Sequence, residues 1–136
     1  MTVLYWDASA VLSVLVRDDH TEAALGWVTR ARISLLSSLA AAECFAVLHR
    51  MRHEGALTPE AYQASVRGAE RGPWRRVNVQ PRWDLIQGLG RFHILKGADL
   101  WHLAAAKTLR EDLPELRLLT FDRQLYLAAQ KEGLAP

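Results

Sequence analysis

The chain has 136 residues, of which 50% are hydrophobic and 24% charged, a composition typical of globular proteins and not of disordered chains. Its 17 Lys and Arg residues exceed its 15 Asp and Glu residues by only two, so net charge alone indicates no class of partner. The apolar stretches are much shorter than the roughly 18–20 residues of a membrane-spanning helix, so we expect no membrane segment. The length predicts a single domain over residues 1–136.

The N-terminus and the cysteine content concern the compartment in which the protein works. The first residues include neither the basic region nor the apolar region of a secretory signal peptide, which predicts a cytoplasmic protein. Cys44 is the single cysteine, which excludes an internal disulfide and a cysteine-rich zinc site. Its apolar neighbours on a predicted helix indicate an inert thiol in the core.

The sequence pattern predicts an alternation of strands and helices. In chain order the predicted elements are a strand over 3–6, helices over 8–16 and 22–32, a strand over 33–37, helices over 38–54 and 58–72, a strand over 74–79, helices over 81–90 and 99–109, a strand over 116–121 and a helix over 122–131. Ser38 is the predicted N-cap of the third helix. Strands separated by helices need crossover connections, so we expect an α/β fold, a three-layer α/β/α sandwich around a mainly parallel sheet of four to five strands.

Four acidic residues lie among apolar neighbours, whereas most of the other acids stand beside polar residues or turn signals. Asp7 and Asp122 directly follow predicted strands, and the carboxyl ends of parallel strands form the ligand crevice of open α/β sheets. Glu43 lies one to two helical turns after the second strand, and Asp99 opens the helix before the fourth. We therefore expect these carboxylates to converge at one edge of the sheet.

Each of these acids also has an ordinary structural interpretation. Asp7, Asp99 and Asp122 stand at or near predicted helix starts, where Asp is a favoured N-cap residue. Glu43 lies within a helix, where the alternative is a partly exposed side chain at the helix edge. Asp84 is a fifth and weaker candidate for the cluster.

A cluster of carboxylates has a specific chemical requirement. The charges repel one another and take up protons unless a divalent cation neutralises them. A set of oxygen ligands without cysteine or a histidine pair suits Mg²⁺ or Mn²⁺ better than zinc. Such a cation activates water and stabilises the charge that develops on a phosphodiester, so the acids predict phosphodiester hydrolysis.

Four segments of the sequence resemble the motifs of the PIN-domain nucleases, and most closely those of the VapC-type toxins of bacterial VapBC toxin–antitoxin pairs. In chain order the segments are YWDASA at 5–10, SSLAAAE at 37–43, KGADLWHLAAA at 96–106 and LTFDRQL at 119–125. Each motif alone is weak, but their order and spacing and the length of the chain agree with the family over essentially the whole sequence.

The resemblance implies a metal-dependent endoribonuclease that is inhibited by a cognate VapB-like antitoxin and that forms a homodimer. The acids that it assigns to catalysis and to one or two Mg²⁺ or Mn²⁺ ions are Asp7, Glu43, Asp99 and Asp122. It leaves open whether Asp122 holds the ion directly. It also implies supporting roles for Ser9 and Thr120.

Several histidines and arginines are weaker candidates for the site than the four acids. His102 lies three residues after Asp99, and packing beside the apolar face of its helix is the favoured interpretation over a role as ligand or base. His49 and His53 have the spacing of a metal chelate, but neighbouring arginines favour a solvated basic face.

Arg75 and Arg76 follow Trp74, a combination that suits contact with an RNA backbone and stacking on a base, although a tryptophan is more often a core or interface residue.

Two other functions fit parts of the pattern. A housekeeping PIN nuclease in RNA processing would have the same motifs as a toxin. A non-catalytic α/β binding module of the response-regulator type would carry an acidic pair beside the first strand and a lysine at a late strand end. Here the first strand is followed by Asp7 alone and the last ends in Thr-Phe-Asp, which favours the nuclease.

Overall fold

A computed structural model of the chain describes residues 2–136. Its elements are β1 (Thr2–Trp6), α1 (Ala8–Leu15), α2 (Thr21–Arg30), β2 (Ala31–Ser37), α3 (Ser38–His53), α4 (Pro59–Arg71), β3 (Trp74–Val77), α5 (Trp83–Phe92), α6 (Gly97–Arg110), β4 (Leu116–Leu119) and α7 (Arg123–Lys131). The four strands form one sheet in the order β3-β2-β1-β4, and every neighbouring pair is parallel. The predicted parallel α/β/α sandwich is confirmed.

β1 lies in the interior of the sheet because its side chains are apolar on both faces. Residues 3–6 are completely buried, as expected for a strand of a parallel sheet with helices on both sides. Tyr5 is in register with Leu35 of β2 and Leu118 of β4, and Trp6 is in register with Leu36 and Leu119. The carboxyl ends of the three strands therefore lie side by side.

Alternating residues of β1 contribute to two separate cores. Val3 and Tyr5 pack against α5, α6 and α7, and α6 meets the sheet through a fully buried stretch over residues 103–106. Leu4 and Trp6 face the opposite side, where they pack with residues of α1, α2 and α3. Each face of the sheet is covered by helices, which gives the three layers.

Several element bounds differ from the predicted ones. Ser37 and not Ser38 caps α3, since the Ser37 hydroxyl accepts a hydrogen bond from the Ala40 amide at 3.2 Å whereas Ser38 is exposed. α6 begins two residues before Asp99, so the alternative interpretation of Asp99 as an N-cap is wrong, and so is the predicted start of this helix at residue 99.

The remaining differences in bounds concern strand and helix ends. The second strand begins earlier than predicted, the third and fourth end earlier, and α5 is shifted towards the C-terminus.

None of the helices in residues 2–136 has the combination of length and apolar character that crossing a bilayer requires.

Glu132 connects three parts of the fold near the C-terminus. Its two carboxylate oxygens accept hydrogen bonds from Lys107 of α6 and from His93 in the segment before α6, each at 2.7 Å. The His93 ring is nearly buried, with 7% of its side chain exposed. The pKa of the Glu132 carboxyl is lowered, first by the hydrogen bond from Lys107 and then by the one from His93.

We expect Glu132→Gln to lower the free energy of unfolding at neutral pH by about 1 kcal/mol, because the hydrogen bonds to an ionised carboxylate are weakened. A lowered carboxyl pKa in the folded state gives stability that is present at neutral pH and is lost as the pH falls through that pKa. The variant should therefore show a shallower loss of stability between neutral and acidic pH, which urea unfolding at a series of pH values measures.

Glu115→Gln is the matched control, since Glu115 pairs with Arg32 in an exposed position at 3.3 Å. Exposed pairs contribute little, so this variant should follow the wild type throughout. Equal acid sensitivity of Glu132→Gln and wild type would contradict the assignment.

Candidate active site

The site begins at the carboxyl ends of β1 and β4. Asp7 follows β1 directly, and its amide donates to the Leu119 carbonyl at the end of β4 at 3.1 Å. The next residue after β4 is Thr120, so the parallel pairing brings Asp7 and Thr120 together from opposite ends of the sequence. This is the edge of the sheet at which the sequence predicted the acids to meet.

Asp7 is a buried carboxylate with hydrogen bonds to both oxygens. Its Oδ1 accepts from the Ser9 hydroxyl at 2.7 Å and from the Ala10 amide at 2.9 Å, and its Oδ2 accepts from the Thr120 hydroxyl at 2.5 Å. Only 3% of the residue is exposed. Burial raises the pKa of the Asp7 carboxyl, although the hydrogen bonds from Thr120, Ala10 and Ser9 oppose the rise. Asp7 therefore caps α1 and is also the buried centre of the site.

Ser9 and Thr120 also fix the chain on the far side of the site. The Ser9 hydroxyl accepts a hydrogen bond from the Phe121 amide at 3.0 Å, and the Thr120 hydroxyl accepts one from the Asp122 amide at 3.0 Å. The Asp122 carboxylate accepts from the amide of Leu125 and so caps α7. The two hydroxyls thus tie the start of α1 to residues 120–122.

Glu43 stands at one end of a chain of hydrogen-bonded side chains. Its Oε1 accepts a hydrogen bond from His102 Nε2 at 2.6 Å, and the Nδ1 of the same ring is hydrogen-bonded to the Tyr5 hydroxyl at 2.6 Å. The Tyr5 hydroxyl is also hydrogen-bonded to Ser37 Oγ at 3.0 Å. His102 is 1% exposed, so its predicted burial is confirmed. Its contact with Glu43 is a further role that the interpretation as a packed side chain missed.

Asp99 lies in the first turn of α6 and shares the site with the other acids. Its carboxyl pKa is raised, first by burial and then by the charges of Asp122, Asp7 and Glu43. His102 has the opposite effect. The charges of Asp7 and Glu43 also contribute, after burial, to the raised pKa values of Tyr5 and Cys44, the latter to about 12. Asp7, Glu43 and Asp122 therefore all lie within electrostatic reach of Asp99.

The donor chemistry of this cluster fits a hard divalent cation, since the acids and the neighbouring hydroxyls offer only oxygen atoms. Within residues 2–136, however, no three His, Cys, Asp or Glu side chains form a group ready to hold a metal ion. Hydrogen bonds already engage Asp7 and Glu43, and the like charges repel one another. The acids form an electrostatic cluster and not a closed shell of ligands.

Other predicted candidates lie outside this cluster. Asp84 is exposed and pairs with Arg82 at 2.6 Å. Arg75 and Arg76 are exposed on β3, and Arg76 lines a cavity of about 300 Å³ beside the start of α3.

The pair His49 and His53 lines an open groove with Arg50, Arg52 and Tyr62 towards the C-terminal end of α3. The basic face predicted around this pair is thus present.

We expect Asp99→Asn to raise the melting temperature at neutral pH by on the order of 2–5 °C, because it removes one of several repelling charges. A raised carboxyl pKa means that the ionised form costs stability in the folded protein. The gain should therefore disappear as the pH falls below the ordinary range of aspartate, where the wild-type residue is also protonated. Melting curves between pH 3 and 8 measure this.

The matched control is Asp84→Asn, since the hydrogen bonds from Arg82 lower the pKa of that exposed carboxyl. This variant should give no stabilisation at neutral pH. A melting temperature of Asp99→Asn equal to or below that of wild type at pH 7 would show that the charges at the site do not strain the fold.

Comparisons with known proteins show the family of this chain. The chain resembles the solved structures of VapC20 from Mycobacterium tuberculosis, a toxin that cleaves the sarcin–ricin loop (15% identity, 92% of this chain and 94% of that chain, TM-score 0.62). It also resembles PAE2754 from Pyrobaculum aerophilum at 17% identity, over 93% of this chain and 79% of that chain, with a TM-score of 0.64. The match to FitAcB from Neisseria gonorrhoeae has 17% identity, covers 94% of each chain and has a TM-score of 0.64. No curated protein sequence matches it. The model of the PIN domain matches residues 4–131, and the chain belongs to the PIN domain family.

Proposed function

We propose that this protein is a metal-dependent endoribonuclease that acts as the toxin of a type II toxin–antitoxin pair. The observation that carries the proposal is the acidic cluster at the carboxyl edge of the sheet, in a chain of the PIN domain family. After burial, the charges of Asp122, Asp7 and Glu43 raise the pKa of the Asp99 carboxyl. Carboxylates gathered in this way are what a cation-assisted hydrolase needs. Helix capping accounts for Asp7 and Asp122, but not for Asp99 and Glu43, which cap no helix.

The four acids of the cluster, Asp7, Glu43, Asp99 and Asp122, would hold one or two Mg²⁺ or Mn²⁺ ions. A bound cation would supply two effects, a lowered pKa of the attacking water and neutralisation of the charge on the phosphodiester. The chain's own contribution is to keep the carboxylates in place. Ser9 and Thr120 do this for Asp7 by donating hydrogen bonds to its two oxygens.

His102 has the corresponding role for Glu43. Its ring is buried and is held on one side by the Tyr5 hydroxyl, so it can present Nε2 to the carboxylate in one orientation only. Partners of this kind orient metal-binding carboxylates. We therefore infer that His102 is a positioning residue, which acts on the reaction through Glu43.

Features of the molecule and its relatives support the proposed substrate and partners. VapC20, which has the same fold, cleaves the sarcin–ricin loop, and we propose RNA as the substrate here. Arg75 and Arg76 are exposed on an outer strand and are proposed contacts for the RNA backbone. We also propose that the protein forms a homodimer, binds a cognate VapB-like antitoxin and works in the cytoplasm.

The proposal predicts that the purified protein cleaves RNA in the presence of Mg²⁺ or Mn²⁺ and that Asp99→Asn reduces the rate by at least about 100-fold, because one carboxylate of the cluster is lost. Gel analysis of RNA fragments over time, with and without a chelator, measures the cleavage. Asp84→Asn should cleave at the wild-type rate, since that acid is exposed and paired with Arg82. Equal rates for all three proteins would reject the acidic cluster as the active site.

The toxin role has its own readout in cells. Induced expression of the wild type should arrest bacterial growth, and expression of Asp99→Asn to the same level should not. Growth that is unaffected by a protein that cleaves RNA in the tube would favour a housekeeping nuclease.

We expect His102→Ala to reduce kcat by about 10- to 100-fold and to raise the Mn²⁺ concentration that gives half-maximal activity, because Glu43 loses its orienting partner. His93→Ala is the matched control, since this nearly buried histidine also pairs with a glutamate, at 2.7 Å, but in the C-terminal network. That variant should lose stability and keep the Mn²⁺ dependence of the wild type. The same Mn²⁺ dependence in both variants would reduce His102 to a structural residue.

A further inference from the structure

An aromatic groove adjoins the acidic cluster on the side of α2 and α7. Its volume is about 550 Å³, within the usual range of roughly 300–1,000 Å³ for small-molecule sites. The residues that matter for its chemistry are His20, Trp27, Thr120, Phe121, Arg123 and Tyr126. Four of these present aromatic rings and one a guanidinium group, which is the side-chain set that binds bases and phosphates of single-stranded nucleic acids.

The groove and the acidic cluster share a wall. Thr120 lines the groove and also donates its hydroxyl proton to the buried Asp7 carboxylate at 2.5 Å. Phe121 stands between Thr120 and Asp122 in the chain, and its amide is hydrogen-bonded to Ser9 at 3.0 Å. The backbone that carries the Phe121 ring is therefore held by the same two hydroxyls that hold Asp7.

The groove contains a pair of stacked rings. The rings of His20 and Phe121 are nearly parallel, with an interplanar angle of 5° and centroids 4.6 Å apart. His20 is exposed at the protein surface, so the stack is open to an additional planar group. The segment that carries His20 is fixed, since Asp18 accepts hydrogen bonds from the His20 amide and from the Ser13 hydroxyl, both at 2.8 Å.

Positive charge accompanies these rings. Arg123 lines the groove and is exposed, and the guanidinium of Arg30 lies 4.0 Å from the centre of the Trp27 ring. A ligand that matches both features carries a flat aromatic group and a negative charge. A nucleotide has this chemistry, whereas an apolar peptide would leave the arginines unpaired.

We propose that this groove binds an unpaired nucleobase of the RNA, next to the phosphodiester that lies at the acidic cluster. The inference rests on the proposed function and adds a binding site for the substrate to it. The base would stack on the His20 and Phe121 pair, and Arg123 would contact the adjoining phosphate. The enzyme would accordingly select RNA in which a single-stranded base stands beside the cleaved bond.

The test uses the full-length protein with His20→Ala, which removes one ring of the stack from an exposed position. Binding of a single-stranded RNA oligonucleotide is measured by fluorescence anisotropy in the Asp99→Asn background, where cleavage is suppressed. We expect the dissociation constant to rise by about 5- to 100-fold, the range for loss of one stacked base. Arg123→Gln should weaken binding as well, and more strongly at low salt.

His49→Ala is the matched control. His49 is an exposed histidine in another groove, where its ring meets the edges of Phe45 and Tyr62. This variant should bind RNA as tightly as its parent. A second measurement compares the KM for steady-state cleavage of the RNA by His20→Ala and by His49→Ala, each in the otherwise wild-type chain, and only His20→Ala should raise it.

The outcomes separate this inference from the proposed function. If the wild type cleaves RNA but His20→Ala leaves both the dissociation constant and the KM for RNA unchanged, the nucleobase site is wrong and the proposed nuclease activity still holds. Loss of antitoxin binding in His20→Ala with unchanged RNA binding also overturns it and assigns the groove to the protein partner. A wild type that does not cleave RNA overturns the proposed function itself, and this inference with it.

Discussion

The burial of Asp7 at the end of β1 is the constraint on which the rest of the site depends. A carboxylate withdrawn from water destabilises the fold unless hydrogen bonds replace the lost hydration. Here the replacements come from Ser9 and Ala10 on one side and from Thr120 on the other. Because Thr120 and Ser9 bond in turn to the amides of residues 121–122, one buried charge organises two loops and the starts of two helices.

The other acids add a second constraint, since they are held near Asp7 despite their charge. The fold keeps them there with rigid elements. Asp99 is in the first turn of α6, which is anchored through its buried apolar stretch. Glu43 of α3 is held by a hydrogen bond from His102, which also belongs to α6. Stability is thereby sacrificed at the edge of the sheet and recovered in the two cores on its faces, a trade that is common at sites built for chemistry.

The order of the elements, and the position of Asp7 and Asp122 directly after strands, were predictable from the sequence because both depend on local patterns. Strands of apolar residues followed at once by Asp7 or Asp122 are visible without knowledge of the fold, and parallel pairing then brings their ends together. The hydrogen bond from His102 to Glu43 was not predictable in this way, because it joins residues 59 positions apart whose side-chain directions depend on how α3 and α6 pack. The interpretation of Asp99 as a cap failed because two more residues at the start of a helix change little in its pattern of apolar residues.

The order of the strands leaves β3 as an outer strand, with one row of backbone groups that pairs with no other strand. An unpaired strand edge of this kind is a template for association with strands of other molecules, and natural proteins commonly protect such edges by shortness and charge. β3 has only four residues, and two of them, Arg75 and Arg76, are exposed cations. These arginines therefore discourage association of free molecules through this strand edge, and replacing them with apolar β-formers would promote aggregation of the sheet independently of any effect on RNA binding.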